Sequence, residues 1–231
     1  MISTEQRCPL PISAPENDQI RITQMSRQQG RCLPATSMPD REWWVKLWSQ
    51  PEETLKIMGL QAGMSVLDLG CGYGHFTIPA ARIVKPALVV GVDIDFPILA
   101  QAQQAAKEVP NCLLLNQDIL TIPQIITNQF DYITIHSTFH GLPNPVEFVR
   151  QIVSLLKPEG YFSVVNWQPI PREQTIWLDK PRGPKTELRI SPQKLLSIVK
   201  AATQRLVAVQ QVDLPPYHYG IIFKLLCCLK Y

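Results

Sequence analysis

A chain of 231 residues with 45% hydrophobic and 18% charged residues has room for one sizeable α/β domain with appendages, and is short for two full ones. The net charge is only +3 and the 22 basic residues never form a run, so composition gives no electrostatic case for a nucleic-acid partner. No apolar stretch approaches the roughly 18–20 residues of a membrane span, since "GIIFKLLCCL" is short and interrupted by Lys224.

Residues 1–40 are rich in Pro, Gln, Ser and Arg without periodicity, which predicts a flexible or loosely docked extension ahead of a single domain over 41–231. "MISTEQRCPLPISAPENDQ" has acids and prolines where a signal peptide needs an apolar core, and the expected location is cytoplasmic. Cys8, Cys32, Cys71, Cys112, Cys227 and Cys228 lack C-x-x-C spacing and a His-rich companion, so reduced thiols and no metal site are expected.

From Asp40, a plausible N-cap, "DREWWVKLWSQPEETLKIMGL" predicts two short helices broken before Pro51, a helical cap over 41–60. Strand and helix patterns then alternate. Strands are expected at 65–70, 87–93, 112–118, 130–136 and 160–167, with helices at 75–84, 96–109 and 145–156, the last stopped by "KPEG". Strands apolar on both faces and separated by helices make a parallel sheet covered on both sides, in a doubly wound fold whose ligands lie outside the carboxyl ends of the strands. A helix over 191–204, capped by Ser191-Pro192, precedes two strands joined by "PPY", so the last strand should run antiparallel to the rest.

"VLDLGCGYGHF" (66–76) directly follows the first strand, and its spacing is Gly70-x-Gly72-x-Gly74. The dinucleotide fingerprint would place its third glycine where this chain has His75, and no Lys-Ser/Thr pair makes a P-loop. Asp68 precedes the first glycine by two residues. A carboxylate there repels a diphosphate and stabilises an ammonium or sulfonium. Asp93, ending the second strand, can accept both hydroxyls of a ribose, as it could for a nicotinamide cofactor too. The combination points to S-adenosylmethionine.

"VLDLGCGYGHF", "GVDID", "NQDIL", "FDYITIHSTFHGLPNP" and "LLKPEGYFSVVNW" resemble, in order, the successive motifs of class I S-adenosylmethionine-dependent methyltransferases, over roughly residues 41–226. The resemblance implies a Rossmann-like, seven-stranded, mostly parallel sheet with an antiparallel last strand. It also implies that Asp68 and the backbone of Gly70, Gly72 and Gly74 hold the methionine moiety. Asp93 would bind the ribose, with Ile94 against the adenine. Asp118 would accept from the exocyclic amine, with Ile119 packing on the ring and His136 facing the methionine part. His136 and His140 are the candidate bases, set against a hydrogen-bonded role in fixing their loop.

Trp44 and Trp48, at i and i+4, read either as core anchors of the cap or as a lid. The polar, proline-rich insertion (168–190) lies where small-molecule members build the acceptor pocket. Arg189 within it reads as a solvated arginine or the partner of an anionic acceptor, and Tyr217, His218 and Tyr219 as aromatics packed on the sheet. The resulting expectation is methyl transfer by in-line displacement to a small-molecule acceptor. "HSTF" after the fourth strand lacks the amide-proline-aromatic arrangement that clamps a target base. A protein or RNA acceptor and a non-catalytic cofactor-binding module are the alternatives; oligomeric state is open.

Overall fold

The computed structural model describes residues 39–227. Residues 1–38 and 228–231, with Cys8, Cys32 and Cys228 and nearly all of the expected extension, lie outside the described residues. Helices α1 (Arg41–Leu47) and α2 (Pro51–Ile57) form as expected, with the Asp40 side chain accepting from the Glu42 N–H and Pro51 opening the second. The alternating stretch is β1 (Val66–Leu69), α3 (Thr77–Val84), β2 (Val89–Asp93), α4 (Phe96–Ala105), β3 (Cys112–Asn116), α5 (Ile122–Ile125), β4 (Phe130–His136), α6 (Pro145–Val153) and β5 (Leu156–Trp167). Two short strands, β6 (Ile176–Trp177) and β7 (Lys180–Pro181), pair within the insertion. Helix α7 (Pro192–Ala202), capped by Ser191, then leads into the hairpin of β8 (Leu206–Leu214) and β9 (His218–Leu225).

The seven-stranded sheet has the order β3-β2-β1-β4-β5-β9-β8. Pairings among β1 to β5 are parallel, and β9 runs antiparallel to both β5 and β8. The sequence-based fold therefore holds, last strand included. Strand order reverses between β1 and β4, which puts a crevice beyond their carboxyl ends.

Successive strand residues face opposite sides, so the apolar runs feed two cores. Leu67, Leu69, Val90, Val92 and Ile133 join the core that α5, α6 and α7 cover. Val66, Val89, Tyr132 and Val165 join the one that α1 to α4 cover. Trp44 and Trp48 belong to this second core, the first of the two readings, although Trp44 also reaches the crevice.

Two departures concern β5 and the connections. Strand β5 starts at Leu156, four residues before the expected Gly160, and α6 ends at Val153. Leu156 already pairs with Phe130, and a register shift between Phe130 and Tyr132, with Glu159 at φ 64°, absorbs "KPEG" as an irregularity within the strand. Helix α5 and the β6–β7 ribbon occupy stretches that carry too few periodic residues to register in the sequence. No helix among the described residues is long and apolar enough to cross a membrane.

The fully buried Tyr132 reaches across the second core, its hydroxyl donating to the Met58 carbonyl at 2.8 Å and pinning the end of α2 to the sheet. Tyr132→Phe should lower unfolding free energy by about 1–2 kcal/mol, read from urea denaturation midpoints at unchanged m-value.

Candidate active site

The crevice is a cavity of about 550 Å³, within the roughly 300–1,000 Å³ range of small-molecule and cofactor sites. The glycine turn forms one wall. Gly70 sits at φ 81°, and a Cβ there would lie 2.7 Å from the Thr138 hydroxyl, so both backbone conformation and packing demand glycine. Gly70 lines the cavity, whereas Gly72 and Gly74, expected to hold the methionine moiety, do not. Gly72 N–H donates to Asp93 at 2.8 Å, and Gly74 N–H closes the turn onto the Cys71 carbonyl at 2.9 Å. The latter two glycines shape the turn.

Four of the turn's donors are used internally. The N–H groups of Gly70 and Cys71 both donate to the Val92 carbonyl, which leaves four amides of the turn committed to protein acceptors. A diphosphate-binding turn needs such amides pointing at the ligand. The Asp68 carboxylate, only 2% exposed, sits beside the start of α3, where one oxygen accepts from the Thr77 hydroxyl. Its other oxygen, also buried, has no hydrogen-bond partner. Burial, with Asp93 adding to it and the Thr77 bond opposing, pushes the Asp68 pKa up from 3.8 to about 7. A buried carboxylate with an unmet acceptor fits a cation.

Asp93 holds the turn and faces the cavity at once. One oxygen takes the Gly72 N–H and the other the Asp95 N–H at 2.9 Å, leaving a second lone pair on each for ribose hydroxyls. Burial raises its pKa as well. Ile94, Asp118 and Ile119 line the same end of the cavity. Asp118 also caps its own turn, accepting from the Leu120 N–H at 2.9 Å, while it lines the cavity.

His136 and His140 both reach the cavity. His136 lies against the Phe76 ring, centroids 4.2 Å apart, and neither ring nitrogen has a partner. Burial first, and the His75 charge second, lower its pKa to about 3, so the imidazole is neutral at physiological pH. His140 stands on a single 3-10 turn, Phe139–Gly141, after β4. His75 ties the turn to the cap through a 2.8 Å bond to the Trp48 carbonyl. His218 is buried between Trp48 and Trp167, in keeping with an aromatic packed on the sheet.

The insertion supplies Arg172 and residues 181–185 to the cavity wall, and its arginines differ from expectation. Arg189 is buried, not solvated, and it does not line the cavity. Its guanidinium donates to the carbonyls of Pro184, Gln168 and Arg182 and to the Thr175 hydroxyl, acting as the insertion's internal brace. The cavity instead receives Arg172, Arg182 and Lys185, which carried no distinguishing pattern in the sequence. Gly183, at φ 81°, lies so close to Trp167 that a Cβ would be 2.6 Å from the indole. Thr77 and Phe76, also missed, could have been sought as the first residues of the helix after the turn. Among the described residues no cluster of three or more His, Cys, Asp or Glu is arranged to hold a metal.

The site is thus a doubly wound sheet's switch-point crevice, walled by a glycine turn, with the buried Asp68 and the part-buried Asp93 both lining it. A methyltransferase-domain family model matches residues 60–202, and the chain belongs to that family, the class I S-adenosylmethionine-dependent methyltransferases. It is 30% identical over 118 residues to a demethylmenaquinone methyltransferase of Listeria welshimeri, a match covering 50% of each chain. The chain thus spans about half the length of the curated relatives it matches. A S-adenosylmethionine-dependent methyltransferase structure from Aquifex aeolicus superposes with a TM-score of 0.66 at 24% identity, over 77% of this chain and 90% of that one. The N-methyltransferase NodS from Bradyrhizobium japonicum, in complex with S-adenosylhomocysteine, gives 0.62 at 17% identity, over 83% and 94%. These two likenesses show the fold.

Because the Asp68 pKa is raised in the fold, its contribution to stability is complete below pH 3.8 and is lost as pH rises through about 7. Asp68→Asn keeps an oxygen for Thr77 and should raise the ligand-free melting temperature at about pH 8, the gain shrinking toward about pH 4. Thermal scans across that range check the sign.

Proposed function

We propose that the protein transfers a methyl group from S-adenosylmethionine to a small-molecule acceptor. The observation that carries this reading is the buried, unpartnered oxygen of Asp68 beside a turn four of whose amides are already bonded. Together they favour a cationic, phosphate-free ligand. Bound there, S-adenosylmethionine would supply a sulfonium-activated methyl. In this reading Asp68 and the Gly70 backbone hold the cofactor's amino-acid end, Asp93 grips the ribose, and Ile94, Asp118 and Ile119 receive the adenine.

The neutral, unpartnered His136 is a hydrogen-bonding group for the methionine part. A conjugate-acid pKa near 3 makes it too weak a base for deprotonating an acceptor at neutral pH. His140 is then the candidate base where the acceptor needs one. The helical cap and the insertion, which close the cavity from outside the sheet, exclude water and hold the acceptor near the reacting carbon. A small acceptor is supported by this partly enclosed, aromatic-walled cavity and by the relatives, which are named for a quinone-type substrate.

Titration with S-adenosylhomocysteine tests the cofactor half. Affinity should rise as pH is brought up through about 7 and Asp68 ionises. Asp68→Asn should bind about ten-fold more weakly with that dependence removed. No binding at millimolar cofactor would end the reading. For the acceptor half, a low-molecular-weight cell fraction should release S-adenosylhomocysteine from S-adenosylmethionine and a macromolecular fraction should not; the reverse would point to a protein or RNA acceptor.

A further inference from the structure

The charges lining the cavity are sorted by sign. Its acids, Asp68, Asp93, Asp95 and Asp118, all stand at or just beyond the carboxyl ends of β1, β2 and β3, on one half of the sheet. Its arginines and lysine, Arg172, Arg182 and Lys185, all come from the insertion after β5, on the other half. The insertion also carries Glu173, Asp179 and Glu187, yet none of these lines the cavity.

The three cations have no carboxylate partner. Every ion pair among the described residues lies elsewhere. Backbone carbonyls orient the two arginines: Arg172 donates to those of Gly183 and Pro181, and Arg182 donates to that of Trp177. Of the five N–H donors a guanidinium carries, most remain on each. The Arg182 guanidinium lies 4.8 Å from the centre of the Trp43 ring, which fixes it between the cap and the insertion. Arg189 makes four hydrogen bonds within the insertion, whereas Arg182 spends a single donor there. The Arg172 charge is felt by its neighbour: after burial it is the next cause holding the Arg189 pKa down, with Glu173 opposing it.

We propose that Arg182 and Lys185, supported by Arg172, form an oxyanion subsite, and that the acceptor carries a carboxylate or phosphate on an apolar body. Trp43, Trp44, Phe76 and Trp167 supply the apolar wall between the two poles. The anion takes the guanidinium fork and the ammonium; the body lies against the aromatic rings, and the reactive atom is turned toward the acid pole. This deepens the small-molecule reading above and rests on it. It also separates this chain from relatives named for a quinone, whose ring bears no charge.

The test is calorimetric titration of the full chain with naphthol, hydroxynaphthoate and naphthyl phosphate, with and without S-adenosylhomocysteine. At least one anionic probe should bind about ten-fold tighter than naphthol, with the advantage shrinking as salt is raised. In the Arg182→Gln/Lys185→Gln double variant the advantage should vanish while the naphthol affinity stays. Equal binding of neutral and anionic probes to the wild type overturns the proposal without needing any variant; an undiminished advantage in the folded double variant, which keeps Arg172, overturns it too. S-adenosylhomocysteine affinity, read in the same titrations, should be unchanged in the variant. Its absence from the wild type would end the methyltransferase reading, while the probe comparison without cofactor would still decide the anion subsite.

Discussion

The site depends on where the glycine turn sends its amide hydrogens. In a diphosphate-binding turn they point outward and make an anion nest. Here Val92, Asp93 and the turn itself absorb those of Gly70, Cys71, Gly72 and Gly74, and a buried carboxylate stands beside the start of α3. Two unit charges about 4 Å apart interact by about 4 kcal/mol at the effective dielectric of a protein surface. A term of that size outweighs most single packing contacts, so the sign of the ligand charge at Asp68 decides which cofactor class the fold can take. The same geometry requires glycine at position 70, because Thr138 from the segment after β4 closes directly over it.

Topology converts that local constraint into a polarised cavity. The order reversal between β1 and β4 divides the crevice between one half-sheet that ends in acids and another that ends in a long connection. The acids belong to strand ends, where backbone N–H groups from the following turns hold them: Gly72 and Asp95 for Asp93, Leu120 for Asp118. The cations belong to a segment with only a two-stranded ribbon and two single 3-10 turns of regular structure, braced by the buried Arg189. Rigid strand ends suit a cofactor that every turnover shares. A loop-built wall can vary without disturbing the sheet, which suits the acceptor side.

What was legible in the sequence follows the same division. The strand–helix alternation, the reversed last strand, the Ser191 and Asp40 caps, and Asp68, Asp93, Asp118, Ile94 and Ile119 at the cavity all lie on elements whose periodicity or capping is local. That Gly72 and Gly74 stand back from the cavity was not legible, because spacing reveals a turn but not the destination of its N–H groups. Arg189 was misread because burial of a guanidinium depends on four acceptors spread from Gln168 to Pro184, a non-local arrangement that composition hides. The early start of β5 was missed because Pro158 and Gly160 usually end elements, and only the bulge opposite β4 lets the strand run through them.

Opposite charges in one cavity would ordinarily pair and close it, and a neutral aromatic layer explains how they stay apart. His136 lies tilted against Phe76, and His218 is packed between Trp48 and Trp167, so the layer runs from the turn to the hairpin through imidazoles that burial keeps uncharged. Burial is the main cause of the depressed basicity of both imidazoles. Both histidines lie on strands flanking β5, His136 ending β4 and His218 beginning β9, while Trp167 ends β5 between them. The antiparallel last strand is what brings the start of β9 to the same edge as the ends of the parallel strands, and so completes the layer.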